Sequence, residues 1–112
     1  MNAAALEKLC TSLKGTTQDI KWGNDLCYLV GNKMYCVALL DESHSVSFKT
    51  TPEAFAELTD REGIIPAPYS ARHHWVLVED SKALKPNEWR HYIVKSYELV
   101  FEKLPRKLKA SI

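Results

Sequence analysis

The stretch LCYLVGNKMYCVALL, residues 26–40, decides how the rest of the chain is read. Two apolar runs flank Gly31 and Asn32, a pair that accepts the positive φ angles of a tight two-residue hairpin turn. The run after the turn has no polar side. Strand alternation sets Met34, Cys36, Ala38 and Leu40 on one face and Tyr35, Val37 and Leu39 on the other. A strand apolar on both faces belongs in the middle of a sheet, with neighbours on either side.

Working outward, the loop DESHS leads into VSFK, where Val46 and Phe48 point one way and Ser47 and Lys49 the other, a third strand with one solvated face. TTPEAFAELTD then carries helix-start signals: Thr51 to cap free amides, Pro52 for the first helical position and Glu53 for the positive end. Phe55 and Leu58 would face the sheet. HWVLV reads as a strand with Trp75 and Leu77 opposed to His74, Val76 and Val78. PNEWRHYIVKSYELVFEKL keeps Trp89, Ile93, Tyr97, Val100 and Leu104 on one helical stripe and forms the main core helix. Upstream, Leu6, Leu9, Cys10 and Leu13 recur at helical spacing and Gly15 is placed to end that helix. The expected order is α-β-β-β-α-β-α, an α+β fold with helices packed on an antiparallel sheet in two layers. Residues 1–112 are expected to form a single domain.

Composition narrows the function classes. With 46% hydrophobic and 26% charged residues the chain is an ordinary globular protein. No apolar run reaches the roughly 18 residues of a membrane span, and MNAAALEKLC lacks a basic start and an apolar signal core, so the cytoplasm is the expected compartment. Cys10, Cys27 and Cys36 are an odd number without CxxC spacing, which argues for buried thiols over a disulfide framework or a zinc knuckle. The net charge of +1 argues against a strongly basic nucleic-acid binder, but the charge is unevenly spread. Residues 1–60 hold five Lys/Arg against eight Asp/Glu, and residues 61–112 hold ten against six, giving −3 and +4. Lys103, Arg106, Lys107 and Lys109 crowd the end of the chain.

The chemistry-bearing residues gather in IIPAPYSARHHWVLV, residues 64–78. Pro66 and Pro68 restrict the backbone, Tyr69 offers a stacking face, and Arg72 can hold phosphate or carboxylate through two hydrogen bonds, with His73 beside it. His74 and Trp75 fit the start of a strand equally well. Lys33, one residue past the hairpin turn, should be exposed. No metal site is expected: His73 and His74 are neighbours whose side chains diverge in extended backbone, and no HExxH spacing links them to His44 or His91. Asp41, Glu42 and His44 form a solvated turn. There is no glycine-rich phosphate loop, no GxSxG and no cysteine beside an evident base, so neither catalysis nor a cofactor is expected. Trp22, Gly23, Met34 and Tyr35 are explained by packing around the hairpin.

Three segments, WGNDLCYLVGNKMYC, GIIPAPYSARHHW and SYELVFEKLPRK, resemble in order and spacing the MmcQ/YjbR family of small bacterial proteins, over about Leu6 to Lys109. That resemblance implies a compact fold of helices and strands related in topology to type III secretion chaperones and described as a double-wing DNA-binding fold. It implies a non-enzymatic protein that meets double-stranded DNA at the phosphate backbone through Lys33, Tyr69, Arg72, His73, Arg106 and Lys107. Relatives tend to carry two fixed positive charges before the His-Trp pair. Here Arg72 is followed by His73, an imidazole whose type changes charge near neutrality, which implies a weaker and more pH-dependent grip on phosphate. The alternative is a protein-interaction or chaperone-like module, forming a dimer through a sheet face or the long terminal helix, as secretion chaperones do.

Overall fold

The computed structural model describes all 112 residues, in the order α1 (Ala3–Thr11), β1 (Thr16–Lys21), β2 (Asp25–Val30), β3 (Lys33–Leu39), β4 (Val46–Lys49), α2 (Pro52–Thr59), β5 (Ile64–Pro66), β6 (Trp75–Val78), α3 (Pro86–Glu102) and α4 (Arg106–Ser111). Gly31 and Asn32 take φ angles of 57° and 65° and close the β2–β3 hairpin as their residue types require. The sheet is antiparallel throughout, with strand order β1-β2-β3-β4-β6-β5. The expected α+β class holds, and β3 lies inside the sheet as its two apolar faces demand.

Register places Tyr28, Cys36, Phe48 and Val76 in one row across four strands on a single face. Onto that face pack Leu6, Leu9 and Cys10 of α1, Leu58 of α2 and Trp89, Ile93 and Val100 of α3, all within one buried cluster. Helices therefore cover one side of the sheet. The other side carries Leu29, Val37, Leu77 and Trp75, none of which belongs to that cluster.

Two features of this face depart from simple alternation. The β2–β3 register slips between Tyr28 and Leu29: Tyr28 faces Cys36 while Leu29 faces Met34, leaving Tyr35 as the extra residue of a β-bulge. Tyr35 thereby joins Cys36 on the helix side, both with no exposed surface, and Met34 turns to the side of Val37. The bulge also opens a gap in the β3–β4 ladder, which the hydroxyl of Ser96 on α3 fills. It accepts a hydrogen bond from the Lys49 amide at 2.9 Å and donates to the Tyr35 carbonyl at 2.6 Å.

The structure adds two strands and a helix to the expected order. β1 (TTQDIK) is a sheet edge exposed along almost its whole length, so it has no apolar alternation to read. β5 is three residues long and includes Pro66, which only an edge strand tolerates. α3 stops at Glu102; buried Leu104 lies in the connection, and Pro105 starts a separate six-residue α4. Two packing expectations fail. Trp22 is 73% exposed at φ 53° in the β1–β2 turn, and His74 adopts a left-handed φ of 64° ahead of β6 instead of joining it. In both cases a turn overrides the strand geometry assumed for the residue.

Candidate nucleic-acid interface

Strand directions place the cations. β3 begins at Lys33, and its antiparallel neighbour β4 ends at Lys49, so both lie at the same end of the sheet. β6 begins at Trp75 opposite Lys49, which brings the preceding loop with Tyr69, Arg72 and His73 to that end as well. α3 travels toward it: near its start the Trp89 indole donates to the Ser81 carbonyl beyond the far end of β6, and further along Ser96 bridges Lys49 and Tyr35. Its last residues emerge against the Gly31 turn. A Cβ on Gly31 would come within 3.0 Å of both Leu104 and Leu108. Lys103, Arg106 and Lys107 are thus set beside the hairpin tip that carries Lys33.

All six residues named from the sequence therefore arrive at one end of the molecule, in two groups. Lys33, Arg106 and Lys107 flank the hairpin tip, and Tyr69, Arg72 and His73 occupy the proline loop. Two cations outside that set join the groups. The Lys49 ammonium donates to the His73 carbonyl at 3.2 Å, and burial, with the charge of Lys103, pushes its pKa below the ordinary lysine value. Lys49 was readable as the polar-face residue of VSFK, but its neighbours come from α3 and the proline loop, far away in the chain.

The loop is held from within. The Ala67 amide donates to the Trp75 carbonyl at 3.0 Å, the Trp75 amide to the Ser70 carbonyl at 3.3 Å, and the Thr50 hydroxyl to the His74 carbonyl at 2.7 Å. The His74 ring stands edge-on to Phe55 at 5.6 Å, a packing role. A short 3-10 turn, Ala71–His73, lifts Arg72 and His73 into solvent, where the Arg72 Nε donates to the His73 Nε2 at 3.3 Å. No carboxylate pairs with Arg72. The ion pairs of the protein are Lys21–Asp19, Arg61–Glu57, Arg61–Glu88 and Lys109–Glu102, so Lys33, Lys49, Arg72, Lys103, Arg106 and Lys107 pair with no carboxylate.

The opposite end has the opposite sign. It carries the loops with Asp41 and Glu42, with Asp60 and Glu62, and with Glu79 and Asp80. An apolar cleft of about 570 Å³ opens there between the start of α1 and the ends of β2 and β3, with Glu79 and Asp80 in its wall. None of the three cysteines is presented as a nucleophile: all are buried, a hydrogen bond to Cys10 and burial push the Cys36 thiol up, and burial does the same to Cys27. No three His, Cys, Asp or Glu side chains come together in a metal-holding group. No helix is long and apolar enough to cross a membrane.

A crystal structure of a Deinococcus radiodurans protein with the family-model domain DUF419 is similar over 98% of this chain and 86% of its own, with a TM-score of 0.88 and 21% identity. A Pseudomonas syringae protein of known structure is similar over 88% of this chain and 98% of its own, at a TM-score of 0.70 and 20% identity. No curated protein matches the chain. The YjbR family model matches residues 11–99, which include the hairpin, the proline loop and most of the long helix, and the chain belongs to the YjbR family.

Proposed function

We propose that this protein binds double-stranded DNA without catalysis, through contacts between its basic end and the phosphate backbone. The reading rests on one observation: six cations from four segments, Lys33, Lys49, Arg72 and the Lys103–Lys107 stretch, emerge at one end of a molecule whose net charge is only +1, and none is paired with a carboxylate. Self-repulsion among them is relieved by a polyanion. Lys33, Arg106 and Lys107 meet one run of phosphates and Arg72, His73 and Lys49 another, and contacts of this kind position the protein while carrying little base reading.

The test is fluorescence anisotropy with a labelled duplex between 25 and 200 mM salt. With about four phosphates neutralised, log K should fall against log salt with a slope of roughly −3.6, so affinity drops on the order of 100-fold from 50 to 200 mM. Replacing Arg72 or Lys107 by Gln should reduce the slope by about 1 and weaken all sequences alike. Absence of binding at 25 mM salt, or affinity indifferent to salt, defeats the proposal.

The sheet face opposite the helices supports a second reading, a protein-interaction module in which the half-buried Val37, Leu77 and Trp75 meet the same face of a second copy. Light scattering decides it: a dimer that Val37→Lys converts to a monomer favours that reading, and a monomer at high concentration removes it.

A further inference from the structure

Tyr69 occupies a position that its residue type does not suit. The Ser70 amide donates to the Ala67 carbonyl at 3.2 Å, Pro68 takes the second place of the turn, and Tyr69 the third at φ 68°. That is the pattern of a type II turn, whose third residue is usually glycine or asparagine because a Cβ is strained there. The side chain recovers nothing from the fold. Its exposure is 102%, and it has no hydrogen bond or aromatic partner within the protein. The other tyrosines differ: Tyr28 and Tyr35 are buried, Tyr92 stacks on Phe48, and Tyr97 stacks on Phe101.

The turn is also rigid. Pro66 and Pro68 bracket Ala67, which is 4% exposed, and backbone bonds to Trp75 and from His73 close the loop on itself. A fully exposed aromatic ring is thus presented in a strained, fixed conformation, followed by the 3-10 turn of Arg72 and His73, whose last carbonyl the Lys49 ammonium reaches. A flat π surface beside fixed cations matches a nucleobase flanked by its phosphates. Inside a duplex each base is stacked on both faces and a wedge costs unstacking energy, so the ring finds a free face most readily on the unstacked bases of a single strand.

We infer that Tyr69 is a stacking platform for an unpaired nucleobase, and that the basic end holds single-stranded DNA more tightly than duplex. The inference deepens the DNA-binding reading and rests on it. The experiment compares a labelled 20-nucleotide oligo(dT), an abasic 20-mer of equal charge and a 20-base-pair duplex, against wild type, Tyr69→Gly and Tyr69→Phe. Wild type should bind oligo(dT) more tightly than the abasic strand or the duplex. Tyr69→Gly should weaken oligo(dT) about 5- to 100-fold, leave the duplex, the abasic strand and the salt slope unchanged, and keep the melting temperature because the turn is relaxed. Tyr69→Phe should retain oligo(dT) binding. Wild-type binding that Tyr69→Gly leaves intact, or weakens equally for all three probes, overturns the inference while the basic-end reading stands. If wild type binds none of the probes, both fall.

Discussion

Replacing Ser96 by alanine is expected to cost far more than the loss of one surface hydroxyl. Ser96 is fully buried, and its Oγ joins two backbone groups that the bulge at Tyr35 has separated, the Lys49 amide at 2.9 Å and the Tyr35 carbonyl at 2.6 Å. Without it a buried donor and a buried acceptor lose their partners, at about 1–3 kcal/mol each. Tyr35 is fully buried but Lys49 only half-buried, so water replaces part of the second bond and the total should be about 2–4 kcal/mol, a large part of the 5–15 kcal/mol typical of a small domain. That corresponds to a fall of about 10–20 °C in Tm. Urea unfolding followed by circular dichroism measures the loss, and amide exchange locates it: protection should vanish at Lys49 before it weakens in the β2–β3 ladder. A loss below about 0.5 kcal/mol with the Lys49 amide still protected would mean that the ladder closes without the serine, and the account of the bulge would be wrong.

Other perturbations test other parts of the structure. The Arg61 guanidinium, 2.8 Å from Glu88, holds that carboxyl down to about 2 from an ordinary 4.5. Between those values the unfolded chain binds the proton and the folded one does not, so the contribution is present above about pH 4.5 and lost as pH falls toward 2. Glu88→Gln should lower Tm at pH 7 and flatten its fall over that acid window. Gly31→Ala combines a φ of 57° with a Cβ 2.7 Å from a Leu104 methyl, and calorimetry should show a loss of about 2–3 kcal/mol. Trp22→Asn removes a mostly exposed ring from a left-handed position that asparagine accepts, so stability should be unchanged or rise by up to about 1 kcal/mol, whereas a core tryptophan would cost about 3–5.

What could be read from the chain alone was whatever is encoded by neighbours in sequence. Gly31–Asn32 announces its turn through backbone freedom, Thr51–Pro52–Glu53 announces a helix start, and the stripe from Trp89 to Val100 announces a buried helix face, because each signal lies within a few turns or one strand length. The hairpin, α2, most of α3 and the α+β class follow from such signals. β1 and β5 were illegible for the converse reason: an edge strand buries little, and without burial no apolar pattern is required. Tertiary structure alone decided the rest. The side on which Tyr35 lies depends on a bulge stitched by Ser96, 61 residues away. Likewise Lys33, Lys49, Arg72, Lys103 and Arg106 carry no mark in their local sequence of sharing one end. They share it because antiparallel register reverses direction at each strand while α3 runs back toward the hairpin tip, and charge, unlike an apolar stripe, leaves no periodic trace of where it will be gathered.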